Sequence, residues 1–161
     1  LSIIEELVEG ASILDAGSAE GYIDHQLLKA GCRRLDAIEM DGGRILTARA
    51  LSGEDSRATF IHASIAPWDA FLDKHEDDLL AQYDLVLYLA VHQHIPKSDQ
   101  KATLEGLLKR ASNWFVLRTP VHYYQDNNLI DTIKQHGFTM YSEHLSDNSG
   151  GAGPIRLYKK G

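Results

Sequence analysis

Short apolar runs alternate with amphipathic stretches along this chain. Ser12-Ile-Leu-Asp-Ala16 is a brief strand, and Tyr22, Ile23, Leu27, Leu28 and Ala30 then recur at helical spacing up to Gly31. Leu35 to Met40 reads as a second strand, with Asp41 as N-cap of a helix carrying Ile45, Leu46, Ala48 and Leu51. Thr59 to His62 is a third strand, followed by Pro67 to Leu80 as one or two helices with Trp68, Phe71 and Leu72 inward. Asp84 to Val91 hardly alternates, as expected of a parallel strand covered on both faces. Pro96 and Ser98 open a helix with Leu104, Leu107 and Leu108. Trp114 to Leu117 is a fifth strand, and Leu129, Ile130 and Ile133 mark a helix ending at Gly137. Phe138 to Leu145 and Ile155 to Tyr158 are strands joined by the turn-rich Ser146 to Gly153. That link is too short for a crossover helix, so the last two strands pair antiparallel. Ahead of all this, Ser2 and Glu5 have capping-box spacing before the apolar Ile3, Ile4 and Leu7. Five β-α units and a terminal hairpin predict an α/β sheet with helices on both faces.

At 161 residues, 43% hydrophobic, the chain has the size of one domain, 1–161, able to bury a sizeable core. A formal net charge of −7 argues against a nucleic-acid groove or an anionic membrane as main partner, since both reward basic stripes. No apolar run approaches the roughly 20 residues of a spanning helix, and no signal peptide is visible. The lone Cys32 excludes an intrachain disulfide and suits a reducing compartment, so a cytoplasmic location is expected. The first residue is Leu, which leads us to expect a domain excised from something longer.

Ligands of open α/β sheets sit at the carboxyl ends of the strands, near the switch in strand order. Asp15-Ala-Gly-Ser-Ala-Glu-Gly21 lies there, between the first strand and the first helix. Its glycines suit either close ligand approach or a plain strand-to-helix turn. The register is not the G-x-G-x-x-G of a dinucleotide fold. Glu39, 18 positions after Gly21, stands where an acidic side chain binds ribose hydroxyls, or it is an exposed acid beside the cap.

Ile13 to Tyr22 resembles the first motif of class I S-adenosylmethionine-dependent methyltransferases, Ala37 to Asp41 their second, and Tyr83 to Ile95 the fourth-strand motif of the small-molecule branch. The resemblance runs from about Ile13 to the end of the chain. It implies a Rossmann-like, doubly wound seven-stranded sheet, order 3-2-1-4-5-7-6, with strand 7 antiparallel. It further implies S-adenosyl-L-methionine as cofactor, with S-adenosyl-L-homocysteine as product. Carried over by position, Asp15, Gly17, Ser18 and Gly21 surround the methionine portion, Glu39 holds the ribose, and Met40 flanks the adenine. Ser64 and Ile65 follow the third strand, where many members place an Asp on the adenine amino group; Ser64 is a weaker acceptor. Tyr88 and Leu89 reach the methionine end from the fourth strand.

His92 and His94 follow that strand with Gln93 between them. On an extended segment, residues two apart share a side, as in a metal pair. No nearby Cys or paired carboxylate completes a ligand set, and no metal is expected. Either imidazole is a candidate general base for a hydroxyl or amine acceptor, with packing as the competing reading. Methyl transfer does not require a base, because the sulfonium is already activated. Arg118, Tyr123 and Tyr124 after the fifth strand, with Tyr22, are candidate acceptor contacts; an ion pair for Arg118 and ordinary packing for the tyrosines are the alternatives. The Asn/Asp-Pro-Pro-aromatic motif of nucleobase amine methylation is absent, Ala90 to Gln93 standing there, which argues against DNA. The expected function is methyl transfer to a small or medium-sized acceptor. The alternative is a non-catalytic cofactor-binding partner or scaffold module. With only about ten residues before Ser12, a lid over the site is expected from the Arg118 to Asn128 segment, from missing N-terminal residues, or from a partner chain or second copy.

Overall fold

The computed structural model describes residues 2–145 and 153–161. Its elements are β1 (Ser12–Ala16), α1 (Tyr22–Lys29), β2 (Arg34–Glu39), α2 (Gly42–Ser52), β3 (Ala58–His62), α3 (Trp68–His75), β4 (Tyr83–Leu89), α4 (Lys97–Arg110), β5 (Ala111–Arg118), α5 (Val121–Tyr124), α6 (Asn127–Gln135), β6 (Phe138–His144) and β7 (Ile155–Lys160). The strands form one sheet in the order β3-β2-β1-β4-β5-β7-β6. β1 to β5 are parallel, and β7 runs antiparallel to both β5 and β6. This is the sheet that the resemblance implies. The order reverses between β1 and β4, which places a crevice at their carboxyl ends.

Alternation along the strands divides the core into two layers. Leu14, Ala16, Val86, Tyr88, Phe115 and Leu117 face α3, α4 and α6, together with Trp68, Phe71, Leu104, Leu107 and Ile133. Ile13, Leu35, Leu85, Leu87 and Val116 face the other way, against Leu27 and Leu28 of α1 and the N-terminal Ile4 and Val8. Asp15 shares the parity of Ile13 and therefore points toward α1.

Several local expectations are corrected. No capping box forms at Ser2; the N-terminal turn is a 3-10 helix over Glu5–Leu7 without a side-chain cap. Gly10 N donates to Gly31 O, just beyond α1, so this segment packs at the amino edge of the sheet, away from the crevice. β4 stops at Leu89, because Ala90 takes φ 59° and turns the chain. β5 begins three residues before its apolar run, since the ladder pairs Ala111 with Tyr83 and Ser112 Oγ donates to Tyr83 O. The Arg118 to Asn128 segment contains α5, a single turn too short to show helical periodicity. The turn-rich 146–152 stretch lies outside the described residues.

Candidate active site at the carboxyl edge of the sheet

The loop leaving β1 is a left-handed turn, with Gly17 at φ 106°, Ala19 at 50° and Gly21 at 76°. Two of its amides, Gly17 N and Ser18 N, donate to Ile38 O of β2, which ties the loop to the neighbouring strand. A Cβ on Gly17 would overlap the Val91 side chain, and one on Gly21 would lie 2.6 Å from Ala48 Cβ of α2. The glycines thus serve packing as well as turn geometry. The space above Gly17, expected from the sequence to receive a ligand, belongs to Val91.

Glu39 ends β2 and is buried. Its Oε2 accepts from Ala19 N at 2.9 Å and its Oε1 from Asp41 N at 2.8 Å, so it clamps the glycine loop to the start of α2. It is not an exposed acid. Asp41 caps α2 as expected, accepting from Arg44 N. Within the loop, Ser18 Oγ and Asp15 Oδ1 are sealed and have no partner among the described residues. Asp15 faces Asp24 of α1, which is fully buried. Burial, and then the nearby Glu39 charge, push the Asp15 carboxyl up to about 6, while the Asp24 hydrogen bond pulls it down. Burial and the Asp15 charge hold Asp24 well above the carboxylate range. Two facing carboxyls without other donors share a proton, and the sealed Asp24 carries it.

Farther along the crevice, Met40 is 71% exposed, a free apolar surface, and its carbonyl accepts from His62 Nε2 at 3.1 Å. Ser64 is exposed, but its hydroxyl donates to Ala66 O at 2.7 Å, leaving only lone pairs for a ligand. Ile65 is buried behind it.

At the end of β4, Leu89 is half-buried and Tyr88 fully buried. The Tyr88 hydroxyl lies 3.2 Å from His92 Nδ1, its one partner among the described residues. Burial keeps that phenol protonated, so it donates to Nδ1 and leaves the His92 proton on Nε2. Burial also pulls His92 down to about 4, against the opposing pull of Asp126. His92 is therefore neutral near pH 7 and a weak base. His92–His94 form a 3-10 turn, not an extended segment, so His92 faces inward and His94 is exposed. The shared side that a metal pair needs does not exist. No group of three or more His, Cys, Asp or Glu able to hold a metal occurs among the described residues.

The edge after β5 is mostly structural. Arg118 Nε donates to Gly153 O at 3.2 Å. Tyr124 is buried, its hydroxyl 3.0 Å from Leu117 O and 2.9 Å from Pro154 O, with the Arg156 guanidinium 3.9 Å above its ring. Tyr123 instead packs edge-on against His92, with centroids 5.4 Å apart. Tyr22, at the start of α1, is 68% exposed. A cavity of about 720 Å³ opens between α4 and α6, with His92 and Tyr123 at one end. The structure gathers Asp15, Gly17, Ser18, Gly21, Glu39 and Met40 along one crevice, and Tyr88, His92 and Tyr123 beside it. Sequence reasoning missed two residues, Val91 and Asp24. Asp24 had a signal, since a charge at phase with Leu27 and Leu28 sits on the buried face of α1.

No protein-family model matches the chain, and no curated protein matches it by sequence. Solved structures do match it in fold. The magnesium protoporphyrin IX methyltransferase of Synechocystis PCC 6803 with bound SAM aligns at TM-score 0.79 and 17% identity, covering 99% of this chain and 77% of that one. The N-methyltransferase NodS of Bradyrhizobium japonicum WM9 aligns at TM-score 0.71 and 13% identity, over 99% and 93%. A TehB-like SAM-dependent methyltransferase of Corynebacterium glutamicum aligns at 0.69 and 16%, over 98% and 86%. The chain has the fold of class I S-adenosylmethionine-dependent methyltransferases.

Proposed function

We propose that this methyltransferase-fold domain binds S-adenosylmethionine along the β1–β4 crevice and directs its methyl group to a small or medium-sized acceptor. The observation that carries the reading is the glycine loop itself. It brings a buried, donor-poor Asp15, an unpartnered Ser18 hydroxyl and the Glu39 carboxylate to one sheet edge. Orphaned polar atoms in a folded core call for a partner. A zwitterionic amino-acid tail and a ribose diol supply the donors that this set lacks, so the residues fit the cofactor.

In this reading the Asp15 carboxylate holds the ammonium of the methionine portion, with Gly17, Ser18 and Gly21 framing it. Each Glu39 oxygen keeps a lone pair beyond its backbone N–H, and those lone pairs accept the ribose hydroxyls. Met40 covers one adenine face, Ser64 offers a lone pair at its rim and Ile65 backs it, while Tyr88 and Leu89 close the methionine end. The bound cofactor supplies an activated methyl on a sulfonium. The chain's share is alignment and exclusion of water. His92, with its proton held on Nε2 by Tyr88, orients an acceptor by donating a hydrogen bond and does not take its proton. His94 keeps the base role only for an acceptor that reaches the exposed turn. Tyr22 and Tyr123 remain acceptor contacts. Arg118 and Tyr124 are engaged at the β5–β7 edge and are not carried forward.

The alternative, a cofactor-binding module without turnover, is favoured by one feature: no side chain orients the His94 ring among the described residues. Calorimetry with S-adenosylhomocysteine and with nicotinamide dinucleotides tests the binding claim, and methyl release on an acceptor panel separates enzyme from module. Binding of the first ligand alone, with turnover, is expected. A nicotinamide dinucleotide binding instead overturns the reading.

A further inference from the structure

Asp24 is a carboxyl where the fold expects an apolar side chain. It lies one turn ahead of Leu27 and Leu28 on the inward face of α1 and is fully buried. Of the four oxygens of Asp15 and Asp24, three are sealed without a partner among the described residues: Asp15 Oδ1 and both of Asp24. Asp15 Oδ2 is the one oxygen of the four outside that set. Among the described residues no cation acts on either carboxyl. From α1 comes only Asp24 itself, and from β2 the Glu39 carboxylate, which adds negative charge. On β4, Leu87 pairs with Asp15, and α2 presents Ala48 to the loop. Toward the far end of α1 stands the buried Cys32 thiol, which burial raises. Two carboxylates in such a place repel each other and lose hydration, so one must stay protonated. The proton sits between them.

We propose that Asp24 is a positioning residue for the cofactor: as a neutral acid it donates to Asp15, fixes that carboxylate toward the crevice, and sets the pH below which the site releases the cofactor's ammonium. The proposal rests on the cofactor reading above. Its physical content is a division of labour. Asp24 holds the proton at all pH values where the protein works, and Asp15 is the member that ionises. Above the Asp15 transition the carboxylate is negative, and Oδ2 accepts from an ammonium. Below it, both carboxyls are neutral and the charge pairing is gone. Asp15 titrates at about 6, so this loss falls just below neutrality and not in the ordinary carboxylate range. The sign follows from the raised value: affinity rises with pH through about 6 and is flat above it. A solvated carboxylate would complete its transition about two pH units lower; burial and the Glu39 charge raise that of Asp15, and the Asp24 donor keeps it from rising further.

The test is S-adenosylhomocysteine affinity from pH 5 to 8, measured by calorimetry on the wild type, Asp24→Asn and Asp24→Leu. The ligand's own amine and carboxyl do not titrate in that range. The wild type is expected to lose about tenfold in affinity per pH unit below about 6. Asp24→Asn keeps a donor to Asp15 and removes the second ionisable group. It should bind within about threefold of the wild type at pH 8, with its fall-off within about half a pH unit of the wild type's. Asp24→Leu leaves Asp15 without a donor and should bind about tenfold more weakly at pH 8, with its fall-off moved up by about one pH unit. Carbonyl-carbon NMR of the ligand-free protein supplies a second readout. One carboxyl should titrate near 6, with its transition unmoved in Asp24→Asn and raised in Asp24→Leu. Where Asp24→Leu does not fold, the NMR titration decides: a second buried carboxyl that ionises between pH 5 and 8 in the wild type overturns the role given to Asp24. No S-adenosylhomocysteine binding by the wild type at pH 8 overturns the proposed function. Binding by wild type and Asp24→Leu with the same pH midpoint overturns only the role given to Asp24.

Discussion

Glu39 holds Ala19 N with one oxygen and Asp41 N with the other, so a single side chain joins the glycine loop to the cap of α2. Glu39→Ala strips two backbone donors at once. It should cost about 1–3 kcal/mol of folding stability by urea denaturation, besides weakening S-adenosylhomocysteine. Unchanged stability would show that water replaces the carboxylate without loss. The position was legible in the sequence, as an acid ending the second strand; its clamp was not, because side-chain bonds to loop amides follow from the turn and not from the spacing. Asp15 makes a second prediction. Its folded value, raised from 3.8 to about 6, means the native state holds a proton that the unfolded chain releases earlier. The stabilising contribution is therefore full below about pH 4 and lost as pH rises through about 6. Unfolding free energy of the wild type relative to Asp15→Asn should fall between pH 4.5 and 7. A difference that stays constant over that range contradicts the proton-sharing pair.

Packing between elements decides more than local propensity does. Gly106 lies in the middle of α4, where Ala is better by about 1 kcal/mol on propensity alone. Yet a Cβ there would overlap the Trp68 ring of α3, and a ring fixed in the core cannot swing away. Overpacking of this kind costs about 1–3 kcal/mol. Gly106→Ala should therefore be net destabilising, by about 1 kcal/mol; a thermal midpoint above the wild type would show that α3 and α4 have room to part. Tyr124 ties α5 to Leu117 and Pro154 through its hydroxyl. Tyr124→Phe should lower stability by about 1 kcal/mol, with faster amide exchange confined to α5 and its flanks. These dependences were invisible in the sequence. The apolar stripe of α4 announced the helix but not what crosses it. The single turn of α5 has too few residues to repeat a period, and its tyrosines read equally well as pocket or core.

At the scale of the whole molecule the sequence was most informative. Uninterrupted apolar residues in β4, alternation of strands with helical stripes, and a terminal pair too close for a crossover determine a doubly wound sheet, and the motif resemblance supplied the strand order that the structure has. The same topology carries the functional claim, since the crevice lies where order reverses and Asp15, Ser18 and Glu39 meet there. Direct titration with S-adenosylhomocysteine at neutral pH tests this most plainly. The account predicts saturable one-to-one binding, with stability raised by about 2.7 kcal/mol at a ligand concentration 100 times the dissociation constant, and no response to nicotinamide dinucleotides. A folded protein that gives neither heat nor added stability with S-adenosylhomocysteine would contradict it.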